Sequence, residues 1–217
     1  MAPMPTGSNS PPRFLVLEGI DGSGTTTQSV RVAERLRARG HRVVETREPS
    51  RGPIGAMTRQ MLAAGEATTV GPEALALLFA ADRLEHLARE IEPALAEGAL
   101  VICDRYLVSS WVYQSLDCEP SWVRTINRHA RWPDLTFVFD LPAELALARV
   151  AARRAQSGEP IERFDEATTQ RRLAEGYARV LEDAGSGEAP GLIRVDAAAE
   201  IAAVSQAILD HCIAAGL

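Results

Sequence analysis

Lysine is absent from this 217-residue chain, and all 23 of its basic residues are arginine. Any cation it uses in chemistry is therefore a guanidinium or, less readily, one of its four histidines. Cysteine is scarce. Cys103, Cys118 and Cys212 are odd in number and lack CxxC spacing, which reads as free thiols in a reducing, cytoplasmic compartment. No apolar run is long enough to span a membrane, so no membrane partner is expected. An excess of positive charge is missing too. The net charge of −6 argues against non-specific nucleic-acid binding, although it leaves room for a local anion site. The opening "MAPMPTGSNSPP" (1–12) has neither a basic n-region nor an apolar h-region. It is read as a disordered leader rather than a secretory signal.

Apolar residues are plentiful. At 46% they suffice for a sizeable core, and the length suits one domain over 13–217. Apolar strand-like runs alternate with helical stretches. Strands are expected at 13–18, 41–46, 99–104, 135–141 and 191–197. Helices are expected at 25–40, 52–65, 71–98 (with a kink at Pro93), 142–155 and 164–184, with two short ones after the third strand and one closing the chain. "GSGEAPG" (185–191) reads as a linker. Strands apolar throughout and separated by helices predict an α/β fold with a five-stranded parallel sheet covered on both faces, a three-layer sandwich. Ligands of such sheets bind beyond the carboxyl ends of the strands, where Gly19–Thr26, Arg47, Asp104 and Asp140 fall.

"GIDGSGTT" (19–26) follows the first strand with the spacing of a phosphate-binding loop, G-x-x-x-x-G-K-[ST], except that Thr25 stands in the lysine position. Gly19, Gly22, Ser23, Gly24, Thr25, Thr26 and Thr27 offer backbone N–H groups and a helix N-terminus to phosphate whatever residue 25 is. The Thr26 hydroxyl is placed to ligate Mg²⁺. Other elements are weaker singly. Arg47, expected beside the phosphate-loop strand, fits a phosphate clamp, but alone a surface arginine fits better. Asp104 is a metal-holding carboxylate or a helix N-cap with about equal weight, and Arg105 follows it. Phe79 and Arg83, four apart on a helix, can stack on and bond a base, yet a core ring and a surface cation are the plainer pair. Arg149, Arg153, Arg154 and Arg163 bracket "QSGEP" as in a phosphoryl-transfer lid (153–163), or else they decorate a solvated helix end.

In combination these stretches resemble the thymidylate kinases. "FLVLEGIDGSGTTTQ", "TREP" with "PIG", "LLFAADRLEH", "VICDRYLVSSWVYQ", "PDLTFVFDLP" and "ERFD" match that family's motifs in order, from about Arg13 to the C-terminus. The resemblance implies a P-loop kinase fold with a mobile lid, usually a homodimer, using ATP and Mg²⁺ to phosphorylate dTMP. It implies that Asp21 lies by the acceptor's sugar and phosphate, and that Arg47 and Arg105 hold that phosphate. Phe79 would stack on thymine and Arg83 bond its edge. Ser110 and Gln114 would lie near the base, with Tyr113 against the 2′ position of the sugar. Arg153 and Arg163 would reach the phosphates of ATP. The sequence departs from the family at Thr25 and at Ser50-Arg51-Gly52, where Gly-Gly-Thr is usual. An arginine is expected to supply the missing charge, with Arg51 and the lid arginines as candidates.

Overall fold

A computed structural model describes residue 11 and residues 13–63, 70–157, 164, 166–183 and 191–217. The leader apart from residue 11, the expected lid beyond residue 157 with Arg163, and the linker up to residue 190 lie outside the described residues. Five strands, β1 (Phe14–Glu18), β2 (Val43–Arg47), β3 (Leu100–Asp104), β4 (Leu135–Asp140) and β5 (Leu192–Asp196), form one parallel sheet in the order β2-β3-β1-β4-β5. The central strands β1 and β3 are buried at every position, as their sequences, apolar up to the closing Glu18 and Asp104, lead one to expect, whereas the edge strands β2 and β5 are partly exposed.

The period of two along each strand divides the core. Leu15, Leu17, Leu100 and Ile102 face one side, packing with Val32 and Leu36 of α1 (Thr25–Ala38), Leu173 of α8 (Ala167–Asp183) and Ile208 of α9 (Ile201–Ala214). Phe14, Val16, Val101 and Cys103 face the other, against Leu87, Ile91 and Leu95. Each fully buried leucine contributes about 2 kcal/mol. The three expected layers are present.

The helix expected at 71–98 is divided. It consists of α3 (Pro72–His86), a π-helical turn at Leu87–Ile91, and α4 (Glu92–Ala96). The Glu92 N–H bonds the Leu87 carbonyl five residues back. Pro93, with no N–H and a ring that clashes with the preceding turn, accounts for the widened register ahead of it. The remaining helices are α2 (Pro53–Ala63), α5 (Leu107–Tyr113), α6 (Pro120–Ile126) and α7 (Ala143–Ser157), the last ending two residues later than its pattern suggests. The strand order corrects one expectation. β2 pairs with β3 and not with β1, so Arg47 lies level with Asp104, one strand away from the phosphate loop.

Candidate active site

The turn from β1 into α1 is built for an anion. Gly22 and Gly24 adopt φ of +83° and +95°, a region costly for any residue with a Cβ. A Cβ on Gly22 would also stand 2.5 Å from the Ala146 carbonyl oxygen, so the loop closes tightly on α7. A Cβ on Gly24 would meet nothing within 4 Å. The loop therefore opens to space on that side. Helix α1 begins with no side-chain cap and no acidic residue in its first turn. Its leading N–H groups and positive dipole end point into a cavity of about 550 Å³.

The Thr26 hydroxyl donates to Asp104 Oδ2 at 2.5 Å. Asp104 Oδ1 is buried and has no hydrogen-bond partner. A hydroxyl and a carboxylate so paired, one oxygen uncommitted, fit a hard divalent cation. Among the described residues no group of three or more His, Cys, Asp or Glu side chains could hold a metal. Mg²⁺ suits such a sparse site, since it takes few protein ligands and fills its shell with water and phosphate.

Arg105 organises the next layer. Its Nη1 donates to the Gly19 carbonyl at 2.7 Å and to the Tyr113 hydroxyl at 2.8 Å, and its Nη2 donates to Asp21 Oδ1 at 2.8 Å. The guanidinium also lies over the Tyr113 ring, 5.1 Å from its centroid. Burial works against the charge of Arg105, but Tyr113 and Asp21 more than reverse this and keep it protonated. Burial pushes the pKa of Tyr113 up, so its hydroxyl stays neutral. Asp21 and Arg105 line the large cavity and also a second one of about 160 Å³. They form the wall the two cavities share.

The second cavity inverts the plainer expectation for "LLFAADR". Phe79 is only half-buried and lines the cavity, while Arg83, 1% exposed, is among the most deeply buried side chains of the chain. Arg83 is neutralised there by Glu48 at 2.7 Å, donates to the Tyr106 carbonyl at 2.8 Å, and bonds Asn127 Oδ1. A buried arginine without such partners would cost several kcal/mol. Ser110 and Gln114 are buried on the same wall, and neither Ser110 Oγ nor Gln114 Oε1 has a protein partner. Tyr113 packs edge-on against Phe164 at 5.1 Å, and both rings line the cavity.

Most of the residues picked out in the sequence thus converge. Gly22, Ser23, Gly24, Thr25, Thr26 and Thr27 line the large cavity with Arg149 and Arg153. Phe79, Arg83, Ser110, Tyr113 and Gln114 line the small one. Gly19 contributes its carbonyl to Arg105. Arg47 is an exception. It is exposed and lines neither cavity, because strand alternation sends Thr46 and Glu48 towards His86 and Arg47 the other way. Arg51 is exposed and also lines neither cavity.

Sequence reasoning overlooked Glu18, Glu48, Tyr106 and Phe164, and the Ala197–Ile201 segment of the large cavity wall. The last follows β5, so the rule that ligands sit beyond strand ends could have found it. A carboxylate ending an otherwise apolar strand was the available signal for Glu18.

The sequence profile described as "Thymidylate kinase" matches residues 17–208. A probable thymidylate kinase of Thermococcus kodakarensis is 40% identical over 179 residues, covering 78% of this chain and 84% of the relative. A putative thymidylate kinase of Treponema pallidum is 38% identical over 201 residues, covering 91% and 93%. The thymidylate kinase of Thermomicrobium roseum is 44% identical over 147 residues, covering 65% and 69%. With two cavities meeting at a phosphate loop, the motif order and this similarity agree, and the chain belongs to the thymidylate kinase family.

Proposed function

We propose that this chain catalyses the ATP-dependent phosphorylation of dTMP to dTDP. The observation that carries the reading is the common wall, because a large and a small compartment that meet at Asp21 and Arg105 suit a direct transfer between two phosphates. ATP takes the larger cavity, with its phosphates on the loop and the start of α1 and its base end towards Arg149 and Ala197. Thymine takes the smaller one, against Phe79 and within reach of Arg83, Ser110 and Gln114. The acceptor phosphate then lies by Arg105.

The chemistry asks for little beyond positioning. The nucleophile is a phosphate oxygen already largely ionised at neutral pH, since such groups have a second pKa of about 6, so no general base is required. Arg105 uses three of its five N–H donors within the protein and retains others for an anion. Asp21 holds the guanidinium in register for an in-line approach. Mg²⁺ held by Thr26 and Asp104 would neutralise charge on the transferring group.

Thr25 removes the lysine cation, and losing one such donor costs about 3–4 kcal/mol of barrier. Arg149 and Arg153 line the cavity that Thr25 lines, so a guanidinium from α7 is the stand-in the geometry favours over Arg51. A homodimer is proposed as well. Met57 on α2 and Leu77 and Leu84 on α3 are exposed apolar side chains on two helices packed together. Light scattering on the purified chain tests this, and a monomer at micromolar concentration would remove it.

The same Thr25 motivates a second reading, a nucleotide-binding relative that no longer turns over. A coupled ADP-release assay with dTMP, dUMP, thymidine and no acceptor separates the two. dTMP-dependent ADP release is expected. Tight nucleotide binding with no acceptor-dependent release would favour the second reading.

A further inference from the structure

Glu18 ends β1 with a side chain that is fully buried, three residues ahead of Asp21. A carboxyl in such a place is costly unless it is bonded on every side. Four donors surround it. The backbone N–H groups of Tyr106 and Val108 donate to Oε1 at 3.0 and 3.1 Å, the Ser109 hydroxyl donates to Oε2 at 2.5 Å, and the Tyr177 hydroxyl donates to Oε2 at 3.3 Å. Burial raises the pKa of Glu18, while the bond from Ser109 and the charge of Arg105 pull it back.

The segment held this way contains Arg105, the only non-glycine residue with positive φ among the described residues, at +66°. That conformation costs about 1–2 kcal/mol for a residue with a Cβ and persists only when its surroundings impose it. Arg105 N–H donates to the Leu17 carbonyl at 2.8 Å, and the next N–H along the chain, that of Tyr106, goes to Glu18. Consecutive residues of β1 thus grip consecutive amides of the strained turn. Glu18 also meets Val108 and Ser109 at the start of α5, whose own N-cap residue Tyr106 supplies no side-chain bond. Through Tyr177 the same carboxylate reaches α8, far along the chain.

We infer that Glu18 is a positioning residue, whose carboxylate fixes the Asp104–Val108 turn in the strained form that aims the Arg105 guanidinium at Asp21 and the acceptor phosphate. It touches no substrate and acts through Arg105. The inference rests on the proposed placement of the acceptor phosphate beside Arg105. It differs from a mere packing role in one respect, since removing Glu18 matters to catalysis only while Arg105 is present.

The experiment is a double-mutant cycle on the full chain, combining Glu18→Met and Arg105→Ala, with Glu18→Gln as the conservative control. Turnover with dTMP and calorimetric binding of dTMP are both measured. Met keeps the length of Glu but leaves the Tyr106 and Val108 amides without an acceptor. Gln keeps one acceptor oxygen for them, and its amide can donate to the two hydroxyls. Glu18→Met is expected to lower kcat about 100-fold, the scale of losing one fixed donor to developing charge, and to weaken dTMP binding while ATP-analogue binding is retained. Glu18→Gln is expected to stay within about threefold of wild type. The double variant should be no worse than Arg105→Ala alone. Effects that multiply, or a Glu18→Met protein with wild-type kinetics, overturn the inference. Should Glu18→Met fail to fold, Ser109→Ala with Tyr177→Phe removes two of the four bonds, and it must show the same dependence on Arg105. The dTMP-binding arm reports on Glu18 even if the wild-type chain proves not to turn over, which keeps failure of the kinase reading separate.

Discussion

The guanidinium of Arg105 and the carboxylate of Asp21 meet at 2.8 Å, joining residues 84 positions apart in sequence. Both side chains retain some exposure, 19% and 36%, so the pair adds at most about 1 kcal/mol to stability. Its value lies in where it stands, on the wall between the two cavities. Arg105→Ala is expected to lower kcat with dTMP about 100- to 1,000-fold while thermal unfolding shifts little. Steady-state kinetics beside a melting curve checks this. A variant with full turnover would remove Arg105 from the mechanism.

Phe79 makes a different kind of contribution. Stacking of a base on an aromatic ring is worth about 1–3 kcal/mol. Because the stack is the same before and during transfer, its loss should fall on binding. Phe79→Ala is expected to raise KM for dTMP roughly 10- to 100-fold with kcat within about threefold of wild type. Titrating dTMP at saturating ATP measures the split.

The stand-in for lysine can be located by substitution. Arg149→Ala, Arg153→Ala, Arg163→Ala and Arg51→Ala are compared with Thr25→Lys in the same assay. At least one α7 variant is expected to lose kcat about 100-fold, comparable to the loss of a single oxyanion donor. Thr25→Lys is expected to gain little where an arginine already occupies the space. If all four arginine variants retain wild-type turnover, none of these four guanidiniums replaces the lysine.

The buried thiols and phenols set the alkaline stability. Burial pushes the pKa of Cys103 well above its usual value and that of Cys212 to about 12, and burial raises Tyr106, Tyr113 and Tyr177 as well. An unfolded chain releases its thiol protons near about pH 8.5 and its phenol protons near about pH 10. Above those values the native state binds more protons than the unfolded one, so unfolding free energy falls as pH rises. Urea midpoints at neutral pH and in the alkaline range, with Cys212→Val as control, should show the decline and its partial relief. Under native conditions Cys118, the one cysteine not buried, should react first with a thiol reagent.

Local pattern determined much of this molecule. Apolar runs such as "FLVLE" and "LVICD", each closed by a single carboxylate, dictate central strands buried on both faces, and the helices between them leave the chain only a parallel sheet. The glycines of the phosphate loop and the missing lysine were legible too, because backbone conformation and residue type act locally. The resemblance to a family rested on such stretches taken in order.

Other features depended on distance. Which strand lies beside which is set by crossover packing, and that order, not the composition of "TREP", carried Arg47 away from the phosphate loop. Arg83 looked like a surface cation. It is buried because Glu48 from β2's end, Asn127 from α6's end and the Tyr106 carbonyl converge on it from three parts of the chain. Glu18 shows no local reason to hold a charge, and its four donors come from residues 88 to 159 positions away. A lone charge in an apolar strand can be seen in the sequence, but the groups that make it tolerable are assembled only by the tertiary fold.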